Sequence, residues 1–513
     1  MNSRLPLPVH SLRISLVPWV SFALVACSST TSTPASDAGA DAATFAIAPT
    51  TANVATCRSK TFVATPADGV TWSLDGAGTI DAGKYTAPTA VPAPPTATVK
   101  AAREALTATA TVSLATAFPE SAKDAPRATA KATPDFVRGT AARGARVYTL
   151  VPGDAGPQVA RSDDGGLTFG APVPVSAGTN PVATAIAVDA GSDDVVYVTI
   201  RGDKSGSGST LDLLTSTDGG KTFSAKPLFS GGNGEVVRAD VVSPAPNVVV
   251  AASRAEWQDG NGGQGSTLLV FKDGNRGATL PALTNLDNGY GGTWALGQEF
   301  RLAAGHVLES GDRLGPHFAT NGAGKVCLAY ADSTVNETTE AHLVRCSEGG
   351  APFGAAVTTA SGKPADIDRP RIALSKDGTV LAVAYDGFAN HSVDSIGKSH
   401  YRVSTDGGAT FGEDRVLDGA KGTDGLDLAV AFAEPFVDSE NVLWIARTLA
   451  TSSVEVDKSC DRGVTRSGRF VLPIPTSHRD GAFFESSAGL FATVLRRSAG
   501  DDLGFAHVRL LAP

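Results

Sequence analysis

The sequence predicts an all-β protein: repeated antiparallel units behind a small separate β module. Three observations predict it. Among 513 residues there are 56 Gly and 30 Pro but one Met, a composition suited to many short strands and tight turns rather than to helices. Seven runs of β-branched and aliphatic residues begin at Val147, Val195, Val248, Val326, Val380, Val442 and Leu490, and near-continuous apolar runs of this length read as strands buried on both faces. A polar turn follows six of the seven. It reads SDDGGLTFG at Ser162–Gly170, STDGGKTFS at Ser216–Ser224 and STDGGATFG at Ser404–Gly412, with worn copies at Phe271–Asn275, Cys346–Gly354 and Ser459–Thr465.

The N-terminus comes first. Arg4 and Arg13 precede an apolar run, Ile14–Ala26, which is too short to span a bilayer as a helix. Leu24-Val25-Ala26-Cys27 resembles a bacterial lipobox. The resemblance implies cleavage after residue 26 and lipidation of Cys27, hence an exported, lipid-anchored protein of the bacterial cell envelope. Ser28 further resembles an outer-membrane sorting signal. Residues 27–43 are small and polar with no apolar periodicity and read as a flexible tether.

Residues 44–116 alternate apolar stretches with Gly and Pro turns, the pattern of a small antiparallel sandwich. Val70–Thr89 resembles the bacterial Ig-like domains, which implies a spacer, with Trp72 in the core between the sheets and Tyr85 near a sheet edge. Residues 117–134, rich in Pro, Ala and Lys, read as a link.

The repeat occupies residues 135–513. Its turn acids are Asp164, Asp218, Asp273, Glu348, Asp406 and Asp461, at intervals of 54, 55, 75, 58 and 55 residues. A period near 55 with one buried strand per unit gives strand, buried strand, strand, polar turn, strand, which matches the blades of a β-propeller. Seven buried strands predict seven blades, with six as the alternative. The long interval holds an insertion, about Leu286–Asp312, with Trp294 inside it. The last unit has room for three strands, and the segment just before Val147 is expected to supply the fourth and so close the ring.

The turn Ser-x-Asp-x-Gly-x-Thr-Phe resembles the Asp box, or BNR repeat. In that family it joins the third and fourth strands of a blade, away from the ligand-binding face. Asp164, Asp218, Asp406 and Asp461 are therefore expected to be structural: a short acid accepts bonds from nearby backbone N–H groups and Gly permits positive φ. Asp-box propellers include sialidases, whose arginine triad opens with Arg-Ile-Pro ahead of the first box. No such string precedes Ser162; Arg371-Ile372-Ala373 and Arg402-Val403-Ser404 come too late. No catalytic residue is assigned. The expected function is non-catalytic binding of a glycan or surface protein at the channel mouth, with an exo-acting, sialidase-like glycoside hydrolase as the alternative and a purely structural envelope role as a third reading.

The loops entering the innermost strands are expected to ring that mouth. Charged residues there are Arg238 and Asp240, His317, Asp366 with Asp368 and Arg369, Asp427, and His478-Arg479-Asp480. Arg369 and Arg479 suit an anionic or sugar ligand best, because guanidinium forks onto carboxylates. A net charge of −9 gives no electrostatic reason for nucleic-acid binding. Neither a CxxC motif nor a His-rich cluster suggests zinc, Asp259–Gly263 lacks the later glutamate of a calcium loop, and no cofactor is implied. Cys327 and Cys346 fall on neighbouring strands of one hairpin and are candidates for a disulfide, whereas Cys57 and Cys460 fall in different domains and are left unpaired.

Overall fold

Each of the seven apolar runs is the second strand of its own antiparallel sheet. The computed structural model describes residues 44–129, 137–175, 179–203, 209–230, 234–258, 264–285, 293–295, 298–301, 316–333, 340–362, 367–387, 398–417, 430–449, 453–474, 481–497 and 502–513. The sheets follow one another along the chain. Their lead strands are Thr140–Arg143, Thr179–Val188, Gly234–Ala245, His317–Thr320, Ile367–Leu374, Val430–Val437 and Gly481–Ser486. Each lead strand pairs with the buried second strand, and the second with the third. Lead strands of successive sheets touch, and the seventh touches the first, so the contacts run in a cycle. Apolar clusters fill the spaces between neighbouring sheets: Leu150 and Tyr148 of the first meet Val198 and Ile200 of the second, and Val250 and Leu268 of the third meet Leu328 and Tyr330 of the fourth.

Four of the six turn acids behave alike. All six turns lie between the third and fourth strands of their sheets. In the second sheet, Ser216 Oγ donates to Asp218 Oδ1 at 2.8 Å and accepts from Gly220 N at 2.9 Å. Asp218 Oδ1 accepts from Lys221 N and Thr222 N at 3.0 Å, and Thr222 Oγ1 donates to Oδ2 at 2.7 Å. The pattern repeats at Asp164, Asp406 and Asp461. Gly219 and Gly220 adopt φ of 74° and 79°, which a side chain would strain. The aromatic of the motif wedges between sheets: Phe169, in the first, stacks on His507 of the seventh at 5.2 Å. In the sixth copy Arg466 stands in the aromatic's place and pairs with Asp457 at 3.1 Å.

Hydrogen bonds, led by that of Thr222 on Asp218 and that of Ser404 on Asp406, hold both carboxyls well below the usual carboxylate range. Their stabilisation is full above the unfolded value near ~3.9 and is lost as pH falls from there toward the folded values. Asp218→Ala and Asp406→Ala are each expected to lower Tm by about 2–4 °C at pH 7. The difference from wild type shrinks below pH ~4, as scanning calorimetry over a pH series will read.

Closure differs from expectation. The segment just before Val147 is the lead strand of the first sheet, and residues 117–134 are no mere link. Lys123–Asp124 and Ala128–Thr129 pair with Asp502–Leu511 as the outer strand of the seventh sheet, extended by Phe118 N to Leu510 O at 3.0 Å and Ala125 N to Phe505 O at 2.8 Å. The insertion also resolves differently. Gln298–Arg301, inside the expected insertion, is the fourth strand of the third sheet. Thr284–Asn285 and Thr293–Trp294 extend the outer edge of the second sheet through Phe229 and Ser230.

Residues Ala46–Ala115 form three small sheets around Ile47, Val54, Phe62, Val99 and Val112. Here the two aromatic roles exchange. Tyr85 is fully buried, its hydroxyl donating to Ala77 O at 2.7 Å, whereas Trp72 is half-buried at the margin of the core.

This N-terminal module is tied to the sixth sheet. Cys57 and Cys460 form a disulfide across 403 residues, a pairing the sequence had left open, and Cys327 and Cys346, directly opposed in the fourth sheet, form another. Arg58 pairs with buried Asp438 and, at 3.0 Å, with Glu440. Lys458 donates to Thr56 O at 2.6 Å and Thr116 O at 3.0 Å and lies 4.7 Å from the Trp444 ring centroid. Burial pushes its ammonium down to about 7.

Candidate functional site

The lead strands bring charged side chains from distant parts of the chain together. Arg138 precedes the first lead strand and is held to the second by the pair of Arg138 with Ala185. Its guanidinium reaches Asp240 of the third lead strand at 3.4 Å and donates to Phe318 O of the fourth at 2.7 Å. Asp240 accepts from Phe318 N at 2.7 Å and from Val241 N at 2.8 Å. Arg371 of the fifth lead strand pairs with Glu434 of the sixth at 3.1 Å. Arg238 stands directly opposite Arg254 across the third sheet, and both are buried.

His317 sits among these groups, 2% exposed. Burial, then the charges of Arg371, Arg238 and Arg138, hold its imidazole well below the ordinary histidine range, so it is neutral near pH 7. Its Nε2 has no hydrogen-bond partner among the described residues. The arrangement is an electropositive centre around a neutral ring, with two carboxylates, Asp240 and Glu434, at its margin. It suits holding a carboxylate or another anion. Arg138 and Glu434 are its part-exposed members, with side chains 33% and 23% exposed.

The sequence-predicted site residues divide. Arg238, Asp240 and His317 do converge, but as buried residues of lead strands rather than as loop residues at an open mouth. Asp240 cross-links the third and fourth lead strands and Arg138. Asp368 and Arg369 lie on the fifth lead strand. Asp366, Asp427, His478, Arg479 and Asp480 lie outside the described residues. Three members were missed: Arg138, Arg371 and Glu434. Arg371 opens the string Arg371-Ile372-Ala373, which lies far beyond the first Asp box.

Every described tyrosine of the seven sheets is engaged away from this centre. Tyr148 donates to Asp193 O, Tyr197 to Asp189, Tyr385 to Asp414 and Tyr401 to Gly463 O, while Tyr330 accepts from Arg345. Among the described residues no group of three or more His, Cys, Asp or Glu is placed to hold a metal ion.

No protein-family model matches the chain, and no curated protein matches it. Solved structures similar to it include an α-L-arabinofuranosidase from Fusarium graminearum, at 14% identity and TM-score 0.39 over 64% of this chain and 93% of that one. Another is Trypanosoma rangeli sialidase, at 13% identity and TM-score 0.38 over 76% and 60%. A third is a protein of unknown function from Dyadobacter fermentans, at 12% identity and TM-score 0.35 over 65% and 94%. Similarity this distant says nothing about substrate.

Proposed function

We propose that this chain is an exported bacterial cell-envelope lipoprotein, anchored through Cys27 to the outer membrane. In this reading its Ig-like sandwich carries a seven-bladed Asp-box β-propeller that binds an anionic glycan or a surface protein without catalysis. One observation carries it: guanidinium groups from the third and fifth lead strands, with Arg138 just ahead of the first, gather around neutral His317 of the fourth, where those strands converge. Cyclic contact among the lead strands supports a closed ring of seven blades, and the closing outer strand supports it further.

The test is a glycan array comparing uronate- and sialate-bearing ligands with neutral ones, followed by titration of Arg371→Ala and Arg371→Lys. Losing a charge-assisted bond to the ligand is expected to weaken binding about 10–100-fold in Arg371→Ala, with part of the loss restored by lysine. Indifference to ligand charge, or unchanged affinity in Arg371→Ala, contradicts the reading.

A second reading, a sialidase-like glycoside hydrolase, draws on Glu434 beside Arg371 at the same centre. Release of an aryl leaving group from sialosides or arabinosides, abolished in Glu434→Gln, decides for it.

A further inference from the structure

The Asp-box aromatics pack against the sheet that precedes their own, and what they meet there is the third strand. Phe223 of the second sheet packs on the cluster that holds Val159, on the third strand of the first. Phe353 of the fourth shares a cluster with Leu268 and Val270, on the third strand of the third. Phe411 of the fifth packs on the cluster that holds Val344, on the third strand of the fourth. Phe169 of the first meets the seventh sheet, whose third strand presents a histidine instead. His507 stacks on Phe169 with ring centroids 5.2 Å apart and stands edge-on to Phe484 at 5.2 Å. An imidazole therefore occupies, at the seam where the last sheet meets the first, a place that is aliphatic at three other seams.

His507 is fully buried, and neither ring nitrogen has a hydrogen-bond partner among the described residues. Thr493 stands directly opposite it on the second strand, also buried, and its Oγ1 has no partner there either. A neutral ring tolerates such surroundings far better than an imidazolium, whose two N–H groups would both lack an acceptor. Burial accordingly pushes the imidazole down to about 3, and the charge of Asp124 on the closing strand opposes that push. Asp124 is itself engaged by Arg127 at 2.6 Å and Arg496 at 3.4 Å. Lys123, directly opposite His507 on the closing strand, is exposed. Charged groups on the other elements around the ring have partners of their own: Asp163 with Arg161, Asp164 with Thr168, Glu485 with Ser439 and Arg509 with Glu120.

We infer that the seam between the seventh and first sheets is an acid-operated release: protonation of His507 parts Phe169 from the seventh sheet and opens the cycle of sheets at that point. Hydrogen bonds cross the seam at the turns, from Ser487 N to Gly144 O at 2.7 Å and from Ser486 Oγ to Gly165 O at 2.8 Å. Around His507 it is held by the packing of Phe169 and Phe484, which a charged ring spoils. The open form gives His507 its ordinary value near ~6.5. The closed form is then fully favoured above ~6.5 and loses up to about tenfold against the open form for each pH unit below it, about 100-fold by pH ~4.5. Asp218 and Asp406 are held well below that range, so the circuits of their turns stay intact. His317, also buried and neutral, carries an acid cost of its own at the lead strands; it is common to wild type and to every His507 variant.

Amide hydrogen exchange of the full chain, compared at pH ~7 and pH ~4.5 and corrected for the intrinsic pH dependence of exchange, tests the release. In wild type, protection of the peptide containing the cross-seam amide of Ser487 is expected to fall by up to about 100-fold at the lower pH, while the peptide spanning residues 404–412 keeps its protection. His507→Phe gives this seam a ring that cannot be protonated and is expected to hold Ser487 protected at both pH values. His507→Gln, which keeps polarity without the charge, is expected to do the same. Equal loss at Ser487 in wild type and in a folded variant overturns the inference. So does a wild-type seam that keeps its protection as well as residues 404–412, a comparison that stands if neither variant folds.

Discussion

Asp240→Ala is expected to destabilise the protein by about 3–5 kcal/mol, the range for removing one partner of a buried ion pair, and to do so more than any single Asp-box substitution. The carboxylate is fully buried. It belongs to the third lead strand, accepts the backbone N–H of Phe318 from the fourth, and faces Arg138 from the start of the first. Alanine leaves the buried amide of Phe318 unsatisfied, which is costly in a low-dielectric interior, and removes the counter-charge of the part-exposed Arg138. Asp240→Asn keeps an acceptor for Phe318 N but not the charge for Arg138, so it should fall between. Urea unfolding of the three proteins checks the order. Equal stability of Asp240→Ala and wild type would show that the lead strands do not meet through this group.

The second large effect is expected at the joint. Cys57→Ser with Cys460→Ser should cost about 2–5 kcal/mol, because the bridge closes a very long loop in the unfolded chain and so restricts it strongly. Loss of the bridge also leaves Lys458 and Arg58 to hold the joint through polar contacts alone. Thermal unfolding of wild type and the double serine variant, both without reductant, isolates this bridge from Cys327–Cys346. A disulfide map lacking a 57–460 peptide, or identical midpoints, would contradict the assignment.

What was legible in the sequence was local. Each Asp box carries its own hydrogen-bond circuit within a few residues, so Asp164, Asp218, Asp406 and Asp461 announce both the turn and its place between third and fourth strands. The apolar runs announce the second strands because both of their faces are covered. The closing strand was not legible. Residues 118–129 are short on apolar side chains and contain Pro119 and Pro126; as an outer strand they pair on one side only, and such strands need no buried pattern. Tyr85 and Trp72 exchanged roles because an aromatic's burial depends on what packs over it. Arg238, Asp240 and His317 read as loop residues because charge suggests exposure; mutual pairing among lead strands drawn from distant sequence lets some of them be buried. Cys57 and Cys460 could not be paired because nothing local links two thiols 403 residues apart.

The central claim is that the sheets close on themselves, with residues 118–129 completing the last. In the seventh sheet Thr129 stands directly opposite Asp502. Replacing both with cysteine and assaying the purified protein by intact mass and alkylation tests that closure most directly. Spontaneous formation of a 129–502 bridge, with a raised Tm, is the predicted result; two freely alkylated thiols in a folded protein would mean that the first and last parts of the ring do not meet.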